Sequence, residues 1–430
     1  LKNSLLSSIW AVQSGAVPRD SVLRAATARA GALESWLHAF VSLADAPAVQ
    51  ESGALAGIPV GVKDIIATAG MLTTNGSPIY AQHVPDEDAW IVGETKRLGG
   101  TVFGKTVTTE FAWRHPGPTV NPWNPAYTPG GSSSGSAAAV GAGIVPLAFG
   151  TQTMGSIIRP AAYCGVVGYK PSFGAVPREG VHPLAGSLDH VGFFTRSAAD
   201  AAAAHCLYIA RDEAPVLSEA AWARYFPAVR PPRLAVIRTG YWERASPAQR
   251  ENFEAALGRF AAAGAELKDF ELPEDTALTV NSANLMLDYE AARIYAPLVE
   301  RHPDKTSDRL KQLVADGLAL GDESYQTALA RQARLRAGLG DWIAPYDAIV
   351  TLPATGQAPR GLDETGDASF CAPWTLAGVP AITIPSGWTS DGLPLGLQIA
   401  GPFGADRQIL AVAAWAESVI ACQEKMVAAA

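Results

Sequence analysis

Lys63 and Ser156 are the residues of this chain whose types and surroundings could together build a nucleophile. Ser132 lies in a glycine–serine turn, Gly130-Gly131-Ser132-Ser133-Ser134-Gly135. Ser156 closes a second one, Thr151-Gln152-Thr153-Met154-Gly155-Ser156. Glycine allows positive φ and close backbone approach, so such turns can aim several N–H groups and hydroxyls at one point. Ile157-Ile158-Arg159 reads as the opening of a helix, which puts Ser156 beside unpaired N–H donors and a partial positive charge that suit an oxyanion. The expected chemistry is attack of Ser156 on a carbonyl, and a serine hydroxyl needs a base for that. Lys63 follows the apolar run Ile58-Pro59-Val60-Gly61-Val62, which reads as a buried strand. A lone lysine usually snorkels to the surface. Burial instead disfavours the ammonium and leaves a neutral amine able to take a proton.

Other chemistries fare worse. Gly99 to Thr106 (GGTVFGKT) matches the phosphate-cradling pattern GxxxxGK[ST], but a helix precedes it and its variable positions themselves read as strand, the inverse of what that loop needs. The seven histidines offer no general base: His115, His182 and His190 sit among prolines, glycines and polar residues and are expected in loops. Neither serine lies in a GxSxG turn. Cys164, Cys206, Cys371 and Cys422 are scattered, without CxxC pairs or zinc spacing, so no metal or cofactor is expected and a reduced, cytoplasmic enzyme is the default.

The elements that must hold these residues alternate. Residues 4 to about 45 show helical spacing broken at Gly15 and Pro18, with Ser21 as a cap; strands are expected at 58–62, 101–103 and 166–169, and a helix at 88–98. Further strands are expected at 233–237 and 266–270 around a helix at 246–263, then a long helical stretch from 274 to about 339. AIVTLP, AITIPSG and LPLGLQIAG return to strand before a closing helix from about 406 to 419. This alternation argues for an α/β sheet with helices on both faces. One domain over 1–430 is expected: helices in 1–50, a catalytic core in 55–200, a variable helical insertion in 212–345 forming part of the pocket, and C-terminal strands and a helix in 346–430.

With 48% hydrophobic and 17% charged residues the chain can bury a large core. A formal net charge of −8 without a basic run argues against nucleic acid or anionic membrane as partner. The alanine–glycine run 136–150 is too short for a membrane span, and no secretory signal is expected at the N-terminus.

Taken in order, G-V-K-D at 61–64, G-K-T at 104–106 with Glu110-Phe111, GGSSSGSAAAV at 130–140, GTQTMGS at 150–156, CGVVGYKPSFG at 164–174 and SLDHVG at 187–192 resemble the amidase signature family of serine hydrolases. The resemblance implies a large twisted mixed β-sheet covered by helices, and a Ser-cisSer-Lys triad. In that triad Ser156 is the nucleophile, Ser132 the bridging serine on a cis peptide, and Lys63 the base. It also implies an oxyanion hole from Thr153, Met154, Gly155 and Ser156, and substrate contacts from Gly131, Ser133, Gln152 and Arg159.

Two departures stand out. Gln152 and Met154 replace the aspartate and first glycine of the usual GTDTGGS turn, and methionine there narrows the acyl pocket, re-shapes the oxyanion turn or reflects an engineered substitution. Arg159 falls one residue later than in the common SIRxPA pattern, which resembles the malonamidase-type branch, where a matching arginine holds a substrate carboxylate; a structural salt bridge is the rival role. The expected function is hydrolysis of the C–N bond of small amides, such as malonamate, without a cofactor. Carbamate or aryl acylamide hydrolysis and the amidase subunit of a tRNA-dependent amidotransferase are the alternatives, and homodimerisation stays open.

Overall fold

The computed structural model describes residues 4–45, 47–226, 230–273, 275–422, 425 and 427. The short apolar runs become β1 (Phe40–Leu43), β2 (Pro59–Lys63), β3 (Thr101–Thr106), β4 (Leu147–Gln152), β5 (Val167–Lys170), β6 (His190–Thr195), β7 (Arg233–Val236), β8 (Glu266–Asp269), β9 (Ala348–Thr351), β10 (Ala381–Trp388) and β11 (Pro394–Ala400). They form one mixed sheet in the order β1-β3-β2-β4-β6-β5-β10-β11-β9-β7-β8. Successive residues of a strand face opposite ways, and this sheet uses both sides. Ala148 packs with Leu33 and Ala137–Val140, from helices Ser21–Leu37 and Ser134–Gly141, whereas Leu147 and Phe149 pack into the core on the other face. The fold is α/β, with helices over both faces.

What matters for the site is the centre of the sheet. β2 runs parallel to both β3 and β4, with Val62 opposite Phe149 and Lys63 opposite Thr106. Every residue of β2 is buried, the continuous pattern expected of a strand enclosed on both faces. The carboxyl ends of β2 and β4 therefore lie side by side and bring Lys63 next to Thr151 and Gln152. Crevices outside the carboxyl ends of parallel strands are where α/β sheets bind ligands. Helix Ser134–Gly141 is wholly buried and made of small residues because its neighbours leave no room: a Cβ on Gly135 would lie 2.2 Å from the carbonyl oxygen of Ala39.

Several readings need correction. Residues 40–43 form the edge strand β1, not part of a helix, because the preceding helix ends at His38 in a left-handed conformation. Ser21 is the first helical residue and Asp20 takes the cap position. His190 opens β6 rather than a loop, and is buried opposite Gln152.

The GGTVFGKT stretch is strand β3. Its Lys105 is buried, donating to the carbonyl of Ile66 (2.5 Å) and the Thr73 hydroxyl (2.7 Å), with Asp64 at 3.8 Å. Burial brings Lys105 down to about 8, although Asp64 opposes the shift. Lys170, at the end of β5, donates to the carbonyl of Val379 (2.5 Å) and is brought down by burial to about 7. Among the described residues no helix is long and apolar enough to cross a membrane.

Candidate active site

Three segments converge where β2 and β4 end. Lys63 is fully buried, and its amine donates to the hydroxyls of Ser132 and Thr151, each at 2.7 Å. Burial holds the amine well below the ordinary lysine value, opposed by the negative charge of Asp189. Asp189 is itself buried and pushed up to about 6. It accepts from the Thr153 hydroxyl (2.6 Å) and from the backbone N–H groups of Leu184 (2.8 Å) and Ala185 (3.0 Å). Thr151 and Asp189 do not stand out in the sequence. Thr151 could have been found there, since the parallel partner of a strand ending in a buried lysine must supply that lysine's next neighbour.

The Gly131–Ser132 peptide bond is cis. The serines that follow Ser132 fasten the turn to the sheet: Ser133 exchanges hydrogen bonds with both backbone groups of Thr151 (3.2 Å each), and Ser136 donates to the carbonyl of Phe149 (2.8 Å). Ser132 and Ser156 both line a cavity of about 510 Å³. Trp113, Leu184 and Leu287 supply apolar wall, and Arg114, Asn284 and Asp367 polar wall. Leu287 and Asn284 come from helix Thr276–Arg301.

The four residues expected to touch substrate are placed differently from one another. Arg159 lines the cavity but is 6% exposed, and its Nη2 is engaged by the carbonyl of Gly131 (2.8 Å) and the Thr365 hydroxyl (3.2 Å). Its Nε finds no acceptor among the described residues. The arginine thus grips the turn that carries Ser132, and no side-chain salt bridge occupies it among the described residues. Gly131 gives its carbonyl to that grip. Ser133 is wholly buried behind the turn. Gln152 is buried too, its oxygen accepting from the N–H groups of Ile157 (2.8 Å) and Ile158 (3.0 Å) and its nitrogen donating to the Thr375 hydroxyl (2.8 Å). Direct substrate contacts from the Ser133 and Gln152 side chains do not fit this placement, because both are buried and hydrogen-bonded inside the protein.

Met154 is half-buried, is absent from the positive-φ residues, and lines the cavity. The turn does not need glycine at 154, and the methionine fills wall space. The N–H groups of Met154, Gly155 and Ser156 have no acceptor among the described residues, so the turn presents unpaired donors beside the Ser156 hydroxyl. No group of three His, Cys, Asp or Glu that could hold a metal occurs among the described residues.

A family profile described as Amidase matches residues 22–410. The chain is 32% identical to the A subunit of the glutamyl-tRNA(Gln) amidotransferase of Exiguobacterium sibiricum over 91% of its own length and 92% of that protein. With the corresponding protein of Deinococcus radiodurans it shares 33% identity over 97% of both. Among solved structures it superposes on one described as an amidase with a TM-score of 0.84 and 30% identity, covering 96% of this chain and 99% of the other. It superposes on the A subunit of the Thermotoga maritima glutamyl-tRNA(Gln) amidotransferase with 0.83 and 29% identity, covering 96% and 94%. The peptide amidase of Stenotrophomonas maltophilia superposes with 0.81 and 26% identity, covering 98% of both. A profile spanning nearly the whole sequence, with relatives and structures that agree over the same length, means that the chain belongs to the amidase signature family and is an amide-cleaving hydrolase.

Proposed function

We propose that the chain hydrolyses the C–N bond of amides through an acyl-enzyme on Ser156, with Lys63 as the base and Ser132 as the relay between them. The observation that carries this reading is the fully buried Lys63 amine, 2.7 Å from the hydroxyl of Ser132, which lines the same cavity as Ser156. A neutral amine has one lone pair and two protons. To act as base the amine turns its lone pair to Ser132, reversing the bond in which it donates to that hydroxyl, and keeps a proton for Thr151. Ser132 in turn takes the Ser156 proton as Ser156 Oγ adds to the carbonyl carbon, and the turn's N–H groups receive the charge that builds on oxygen. Collapse returns the proton through the same relay to the leaving nitrogen, which departs as ammonia or an amine. Water, deprotonated by the relay, then cleaves the acyl ester to the free acid. The Ser156 hydroxyl makes no hydrogen bond among the described residues, and contacts of this kind tighten when substrate arrives.

The test is ammonia or amine release by the purified chain from a panel of amides, esters and carbamates. Turnover of at least one amide by the chain alone is expected. Failure on every amide, including after partner addition, would overturn the reading. A second reading is favoured by the relatives at 32–33% identity: the chain works as the amidase component of a transamidating complex and passes ammonia to a partner. Amide turnover that emerges only on addition of such a partner would select it.

Arg159 separates substrate classes. Because its Nη2 holds the Gly131 carbonyl, Arg159→Ala is expected to lower kcat on neutral and acidic amides alike, by about tenfold or more, the effect of misplacing a catalytic hydroxyl. A loss confined to acidic amides such as malonamate would instead assign its remaining donors to a substrate carboxylate.

A further inference from the structure

We infer that Gln152 and Thr375 are positioning residues that hold the 154–156 turn with its N–H groups facing the developing oxyanion, an inference that rests on the acyl-serine reading. The Thr375 hydroxyl, on helix Ala372–Ala377, donates to the carbonyl of Met154 at 2.9 Å. In a trans peptide the carbonyl and the following N–H point in opposite directions. Pinning the Met154 carbonyl against that helix therefore turns the Gly155 N–H away from it, in a turn whose Met154 and Ser156 line the cavity.

Gln152 decides which way the Thr375 proton goes. Its oxygen is committed to the N–H groups of Ile157 and Ile158, which fixes the amide's orientation, so its nitrogen must face Thr375 at 2.8 Å. A threonine hydroxyl has one proton. Since Thr375 accepts from Gln152, that proton is free only for the Met154 carbonyl. A carboxylate at 152 could only accept, and would draw the same proton away. All three members are buried or half-buried, so water does not compete freely for these bonds. A second contact sets the turn against the cap of the same helix: a Cβ on Gly155 would lie 3.2 Å from both the Cβ and Sγ of Cys371.

The experiment compares Thr375→Val, Thr375→Ser and Gln152→Glu with the wild-type protein on the best amide of the panel. Loss of one whole oxyanion donor lowers kcat by about 10²–10³ elsewhere, so loosening one is expected to lower it by about tenfold to a hundredfold in Thr375→Val. KM should stay within about twofold and the acid limb of the pH profile should not move, since neither Lys63 nor Ser132 is touched. Thr375→Ser, which keeps the hydroxyl, should recover most of the loss. Gln152→Glu still accepts from Ile157 and Ile158 but captures the Thr375 proton, so it should reproduce the Thr375→Val defect. It also carries the test if Thr375→Val does not fold. A folded Thr375→Val with kcat within about twofold of wild type, a defect in KM alone, or a fully active Gln152→Glu would each overturn the inference. Ser156→Ala distinguishes the two levels: if it keeps turnover, the acyl-serine reading fails; if it is inactive while Thr375→Val is unimpaired, only the positioning role fails.

Discussion

Ser156→Ala is expected to lower amide turnover by about 10⁴-fold or more while leaving the protein folded. The substitution removes one oxygen from a residue that lines the cavity and is 8% exposed, so it opens no cavity in the core. What it removes is the atom that forms the bond to carbon. The donors of the turn and the binding surface remain, and in other serine hydrolases these alone leave about 10³–10⁴-fold acceleration over water, far below the intact enzyme. The measurement is kcat on the best amide, paired with intact-mass detection of an acyl adduct trapped at short times. Wild type should show the adduct on the peptide that contains Ser156, and the variant should show none. Turnover of the variant within about tenfold of wild type would remove Ser156 from the mechanism.

Lys63→Met is expected to follow, with a loss of about 10²–10⁴-fold, the contribution of a positioned base. The accompanying pH profile has a definite sign. The working form of Lys63 is the neutral amine, and burial holds its value in the folded protein well below that of an ordinary lysine. Activity should therefore be present above the folded value and disappear as pH falls through it. Asp189 pulls the other way, because its charge favours the ammonium. Asp189→Asn removes that charge and should move the acid limb to lower pH, besides loosening the Thr153 contact. Rate measurements across the acid range decide it: a flat kcat/KM down to strong acid, or a limb that moves upward in Asp189→Asn, would contradict the role given to Lys63.

The parts of this molecule that could be read from residues alone are those where pattern and chemistry coincide. Ile58 to Val62 is an uninterrupted apolar run, and such a run followed by lysine has few structural outcomes; β2 does end at Lys63. The helix at 158–164 begins just after Ser156, as the switch from turn residues to Ile157-Ile158 indicates. What escaped were partners distant in sequence. Thr375 lies 223 residues from Gln152, and nothing around Ala372-Pro373-Trp374 announces contact with the serine turn. Thr365 reaches Arg159 from a loop with no periodic signal, so residues alone left substrate binding and a structural salt bridge as the two roles for this arginine and did not show the hydroxyl that engages one of its nitrogens. β1 was missed because four residues after a helix are too few to establish a period of two.

Lys63, Lys105 and Lys170 leave one more mark, visible in a calorimeter rather than an activity assay. Each is less basic in the folded chain than in the unfolded one. Near pH 8, melting should make the chain absorb about one and a half protons from Lys105 and Lys170 together, so these lysines make stability rise with pH there, below the range in which the buried thiols, which ionise only on unfolding, release protons and oppose them. The apparent melting enthalpy should then change with the ionisation heat of the buffer, growing where surrendering a proton is endothermic.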